Sequence, residues 1–168
     1  MVKTEHDSET RAEGQQVIVA CAFIHHSFDG IEKVFLPKRA DTKKFMPSVY
    51  ELPGGHVDFG EDITTGLKRE VMEEFGKEIT LGDPFATFTY TNRIKGTHSI
   101  ETVYFATFSD SIDNIKVHPE DHSGYQWLGE TELTKMLEGT SKDENDAEYQ
   151  IIKRAFKLLH GEPLNFGT

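Results

Sequence analysis

A single cysteine, Cys21, stands among 168 residues, so the chain holds no internal disulfide and no cysteine-built metal centre. Cys21 lies inside the apolar run Val17-Ile18-Val19-Ala20-Cys21-Ala22-Phe23-Ile24 and reads as a small buried hydrophobe rather than a reactive thiol. Long apolar stretches are also missing. The mean hydropathy is −0.51, and no run approaches the roughly 20 residues of a membrane-spanning helix. Basic residues are scarce: 18 Lys and Arg face 29 Asp and Glu, a formal net charge of −11. That deficit argues against binding duplex nucleic acid, whose affinity comes mainly from phosphate contacts to a basic surface. Phosphate-bearing small molecules stay in play, because a divalent cation can neutralise an acidic site and an anionic ligand together. The first sixteen residues carry no apolar segment of a secretory signal, so a cytoplasmic location and no membrane partner are expected.

What is present fits one domain, expected over residues 17–160, with a flexible tail over 1–16 and a short one over 161–168. Residues 17–24 are rich in β-formers and read as a buried strand. Asp29-Gly30 marks a turn, residues 31–36 a second strand ended by Pro37, and residues 49–52 a short strand stopped by Pro53-Gly54-Gly55. Residues 62–75 have helical composition, with Gly76 as a stop signal. A short extended piece at 79–81 is followed by Gly82-Asp83-Pro84, read as a turn, then by strands over 85–92, 99–108 and 125–128. Residues 131–137 and 148–159 read as helices, the second with an apolar face expected to pack on the core. Strands and helices interleave irregularly, which gives an α/β or α+β class with a mixed sheet.

The chemistry concentrates at residues 54–76. At about 100° per residue, Glu70, Glu73 and Glu74 share one helix face. Ile63, Leu67, Val71 and Phe75 recur every fourth residue and make an adjacent apolar stripe that can lie on a sheet. Three carboxylates at this spacing repel one another. Together with a backbone carbonyl they supply the hard oxygen ligands that Mg²⁺ takes, with Mn²⁺ as the alternative. Gly66 lies within the same helix, where glycine costs about 1 kcal/mol relative to alanine. It either leaves room above the acidic face or serves close packing.

The residues Gly55, Glu61, Arg69, Glu70, Val71, Glu73, Glu74 and Gly76 stand at the spacing of the Nudix box. The segment 55–76 therefore resembles that box, and the preceding Tyr50-Glu51-Leu52-Pro53-Gly54 resembles the strand leading into it. Lys77 departs from the pattern, which has an aliphatic residue there, and Ile79 is the expected substitute. The resemblance implies an α/β/α sandwich on a mixed sheet and hydrolysis of a nucleoside diphosphate linked to another group. It implies Glu73 and Glu74 as the main metal ligands and Glu70 as a further ligand or as the group acting on the attacking water. The Gly54 carbonyl is implied as another ligand. Arg69 is implied to hold Glu61 or Glu70 from behind. By the same resemblance Arg39 is the first candidate for phosphate binding, with Lys43, Lys44, Arg93 and Lys95 behind it. Glu120 and Asp121 are candidates for an extra acid from a late loop. His56, His25 and His26 are expected to be structural or solvated.

Substrate choice lies outside the box. The features of the ADP-ribose, dinucleoside-polyphosphate and coenzyme A subgroups are absent or displaced. By elimination, a nucleoside triphosphate (ordinary or modified), hydrolysed to monophosphate and pyrophosphate, is the first expectation. A nucleotide sugar or dinucleotide pyrophosphatase is the second, and a non-catalytic nucleotide-binding module the third. Phe23, Phe85, Phe88, Tyr90 and Tyr104 are the aromatic residues available to stack on a base. The oligomeric state stays open between monomer and homodimer.

Overall fold

The computed structural model describes residues 10–162. Its elements are β1 (Gln16–Phe28), β2 (Ile31–Arg39), β3 (Gly54–His56), α1 (Ile63–Phe75), β4 (Ile79–Asn92), β5 (Thr97–Phe108), β6 (His122–Gly129), a 3₁₀ helix (Glu130–Leu137) and α2 (Ala147–Leu159). The strands form one mixed sheet in the order β4-β5-β1-β2-β6, with β3 also paired to β1. The β1–β5 pair is parallel and the remaining pairs are antiparallel.

β1 explains the layering. Successive side chains of a strand point to opposite faces, and here both faces are buried, so the strand reads as a continuous apolar run. Val19, Cys21 and Phe23 join Ile152, Ala155 and Phe156 of α2 in one core cluster. Ala20, Ala22 and Ile24 join Leu67, Val71 and Phe75 of α1 in the other. The result is an α/β/α sandwich. No helix among the described residues is long and apolar enough to cross a membrane.

α1 begins where Asp62 caps it, accepting hydrogen bonds from Thr64 N and Thr65 N. It ends at Gly76, whose φ of 63° lies in the left-handed region that glycine adopts without steric cost. Phe75, fully buried, meets Phe35 edge-on at 5.2 Å. Beyond the helix, Ile79 is buried as expected, but so is Lys77. The Lys77 stem is covered while its ammonium reaches the Asp113 carbonyl at 3.0 Å and Asp110 at 2.8 Å, which is how a long cationic side chain can occupy an apolar position.

Three local expectations need correction. β2 does not end at Pro37: it runs to Arg39, with Pro37 opposite Tyr125, and the Pro37 carbonyl accepts from Glu51 N at 3.1 Å. Gly82-Asp83-Pro84 is not a turn. β4 is continuous, and register shifts on either side of Pro84 absorb these residues as bulges, positions where a missing N–H is tolerated. Residues 49–52 form only the isolated bridge Lys38↔Tyr50, and the strand lies instead at Gly54–His56. The helix expected over residues 131–137 is present, wound as a 3₁₀ helix over Glu130–Leu137.

The expected tails fall largely on residues 1–9 and 163–168, outside the described residues. Of the stretch between, Ala12 N and Gly14 N donate to the carbonyls of Lys95 at 2.8 Å and Gly96 at 2.9 Å.

Gly76→Ala should destabilise the fold by about 1–2 kcal/mol, because an L side chain at this φ pushes Cβ against the following carbonyl. A fall in Tm of several degrees in thermal unfolding would show it. An unchanged Tm would contradict the assignment of Gly76 as the left-handed cap.

Candidate active site

A cavity of about 820 Å³ runs from the acidic face of α1 to the sheet face beneath α2. β3 delivers its rim. At Gly54 the backbone has φ 150°, and a Cβ would stand 2.1 Å from the Ala20 carbonyl. At Gly55 a Cβ would stand 2.5 Å from Glu70 Oε2. Only residues without side chains let β3 lie this close to both β1 and α1.

Arg69 organises the carboxylates. Its Nε donates to Glu61 Oε1 at 2.9 Å and its Nη2 to Glu61 Oε2 at 3.0 Å. Nη1 reaches Glu70 at 2.6 Å and Glu73 at 3.4 Å, and Nη2 also donates to the His56 carbonyl at 3.1 Å. Glu61 accepts in addition from Asp58 N at 2.9 Å. Hydrogen bonds to Glu61 hold the guanidinium strongly in its charged form. A Cβ at Gly66 would sit 2.8 Å from Glu61 Oε2, so the close-packing reading of that glycine holds: its missing side chain admits the carboxylate that anchors Arg69.

The three box glutamates are not equivalent. Glu73 is largely exposed, whereas Glu70 is mostly covered. Burial pushes the Glu70 carboxyl up, against the pull of Arg69. Glu74 is raised further, first by burial and then by the charges of Glu51, Glu70 and Asp121. Its Oε2 is buried with no hydrogen-bond partner, an arrangement that a cation relieves. Among the described residues no three His, Cys, Asp or Glu side chains are already gathered as a metal-binding set. The donor chemistry nevertheless fits a hard divalent ion: Glu70, Glu73, Glu74 and the Gly54 carbonyl offer oxygen alone.

Arg39 lines the same cavity. Its guanidinium is held by the Phe45 carbonyl at 3.1 Å and by Glu51 at 3.3 Å. His122 Nε2 lies 3.1 Å from Glu51. Burial alone would raise the Glu51 carboxyl, but Arg39, His122 and Lys142 together hold it below the usual range. Lys43 and Asp121 also line the cavity, ion-paired at 2.8 Å.

Several expected residues stay apart. Glu120 is exposed and, like Lys44, Arg93 and Lys95, is not part of the cavity wall. Of the aromatic candidates, Phe88 and Tyr90 reach the wall, while Phe23 and Tyr104 are core and Phe85 packs at its margin. Sequence reasoning missed Phe45, Glu51, Glu101, His122, Lys142 and Glu148. The signal for two of them was available: Glu51 interrupts an apolar approach to Gly54, and Glu101 occupies an inward position between Ser99 and Val103 on β5.

The family model described as NUDIX domain matches residues 16–152. A protein named nucleoside triphosphatase NudI, from Escherichia coli O81 (strain ED1a), is 29% identical over 127 residues, covering 71% of this chain and 86% of the relative. Two solved structures share the fold. An Ap4A hydrolase of C. elegans in a binary complex has a TM-score of 0.68 at 22% identity, over 86% of this chain and 98% of that one. A MutT protein from Methanosarcina mazei Go1 has a TM-score of 0.66 at 20% identity, over 89% of this chain and 98% of that one. With the matched stretch running from β1 into α2, and the box standing at the mouth of the cavity, the chain belongs to the Nudix hydrolase family.

Proposed function

We propose that the chain is a Mg²⁺-dependent pyrophosphohydrolase that converts a nucleoside triphosphate, ordinary or modified, to the monophosphate and pyrophosphate. The observation that carries this reading is one cavity joining the acidic face of α1 to an inner end walled by Phe45, Phe88 and Tyr90. It has room and chemistry for a polyphosphate at one end and a flat base at the other. The similarity to a relative named as a nucleoside triphosphatase supports it.

In this reading Glu73, Glu74 and the Gly54 carbonyl hold the ion, with Glu70 as a further ligand or as the acceptor of a proton from the attacking water. Bound there, Mg²⁺ neutralises phosphate charge and makes a water more acidic. The water oxygen bonds to phosphorus, the P–O bond of the anhydride breaks, and pyrophosphate leaves. Arg39, held by Glu51 and the Phe45 carbonyl, presents its guanidinium to phosphate oxygens, the geometry to which its planar fork is suited. Lys43 stands on the same wall. Arg69 is a positioning residue: by holding Glu61, Glu70 and Glu73 it fixes the carboxylates in place.

A panel of nucleoside triphosphates and nucleoside diphosphates linked to sugars, incubated with Mg²⁺, tests the reaction. Monophosphate and pyrophosphate are the expected products, and two phosphate-bearing halves from the linked diphosphates alone would overturn the triphosphate reading. Glu73→Gln and Glu74→Gln should each lower turnover by about 100-fold or more with the circular dichroism of the fold intact. Arg69→Lys keeps the charge but loses the planar fork, so a loss of about 10–100-fold is expected. Full activity in any of the three contradicts its assigned role.

The Glu74 carboxyl also predicts a pH effect in the metal-free protein. Its folded value lies above its unfolded one. Between the two, the native state keeps a proton that the unfolded chain has released, so stability falls as pH rises through that window and is fully present below it. Glu74→Gln should therefore have a higher Tm than wild type near pH 8 without metal, and the gain should shrink on acidification. A Tm difference independent of pH would refute it.

A further inference from the structure

The inner end of the cavity holds a buried acid that the hydrolytic reading leaves without a task. β1, β4 and β5 place alternate residues there. Cys21 and Val19 come from β1, Ser99 and Glu101 from β5, Phe88 and Tyr90 from β4. Register accounts for the grouping: Glu101 lies opposite Val19 on one side and Phe88 on the other, and Tyr90 lies opposite Ser99. Paired residues in neighbouring strands share a face.

Three carboxylates meet in this region, and two of them are committed. Glu51 holds Arg39 and His122. Glu148 accepts from Leu52 N at 2.6 Å and pairs with Lys142, tying the start of α2 to the segment before β3. Glu101 differs. It is only 5% exposed, it lines the cavity, and its hydrogen-bond partner among the described residues is the thiol of Cys21, a weak donor. A buried carboxyl with so little to hold it, facing an open space, is the kind of group a ligand satisfies.

Aromatic faces flank it. The rings of Phe45 and Tyr90 are nearly parallel, 15° apart with centroids at 6.3 Å. Phe88 lies 6.1 Å from Tyr90. The Tyr90 hydroxyl is engaged with Ser99, which fixes that ring. Flat apolar faces beside one polar group suit a heteroaromatic ring, which stacks by its face and hydrogen-bonds by its edge.

We infer that the inner end is the base subsite of the substrate nucleotide and that Glu101 is its specificity-determining residue, reading the base edge by hydrogen bonds from its carboxyl group. The inference rests on the nucleotide reading given above. Burial first, and then the charge of Glu148, push the Glu101 carboxyl up, in keeping with the neutral form. In that form glutamine is its close mimic, since an amide also offers a donor beside an acceptor. Leucine has a similar volume and offers neither.

The test compares wild type, Glu101→Gln and Glu101→Leu in two assays. The first is kcat/KM with Mg²⁺ for ATP, CTP, GTP and UTP. The second is calorimetric binding of adenosine, cytidine, guanosine and uridine without metal, which needs no turnover. Wild type should separate the four bases by at least about tenfold, the scale of one hydrogen bond to a buried group. Glu101→Gln should keep the rank order, and Glu101→Leu should flatten it in both assays. A flat wild-type profile, an undiminished preference in Glu101→Leu, or a collapse in Glu101→Gln equal to that in Glu101→Leu overturns the inference. If wild type hydrolyses none of the four, the proposed reaction falls, and the nucleoside binding series still decides the role of Glu101.

Discussion

Negative charge collects at the mouth of this cavity, and a single guanidinium keeps it in order. Arg69 bonds to Glu61, Glu70 and Glu73 and to the backbone at His56. Without that cation the box carboxylates would repel one another across a helix face. With it, the loop leading from β3 into α1 and the helix itself are joined into one rigid piece. The glycines at 55 and 66 serve the same arrangement, each leaving space that a glutamate oxygen occupies. What Arg69 does not reach is Glu74, whose buried oxygen has no hydrogen-bond partner among the described residues.

The sheet supplies the second constraint. β1 is covered on both faces, by α1 on one and by α2 on the other. It thereby fixes the relation between two chemically distinct regions: the acidic helix and the polar pocket around Glu101 and Glu148. A cavity connecting them is a consequence of β3 taking a short stretch of β1, Val19 to Cys21, while β2 pairs with β1 only from His25 onward.

The fold class and the acidic helix were legible in the sequence for physical reasons. A strand buried on both faces writes itself as an unbroken apolar run, and a helix laid on a sheet repeats Leu67, Val71 and Phe75 at fixed spacing. Fixed spacing also made the box readable, because Gly55, Glu61, Arg69 and Glu74 act within one local unit. The errors came where long-range pairing overrode local chemistry. Pro37 and Pro84 read as breaks, yet each sits in a strand whose partner does not need its missing donor. Lys77 read as a misfit and proved to be anchored by Asp110 and Asp113. Glu51, His122 and Lys142 were invisible for the same reason: Glu51 meets His122 across 71 residues of chain and Lys142 reaches the Tyr50 carbonyl across 92, and no local pattern announces it.

The bulged stretch of β4 has one more consequence. β4 closes one end of the sheet, where unpaired backbone groups form a template onto which a foreign strand can add. Register shifts around Pro84 break the regular ladder, proline removes a donor, and exposed Asp83 adds a charge. A docking chain would meet a kinked, interrupted rim in place of a straight one, which guards a protein with a 14-residue outer strand against polymerising through its own border.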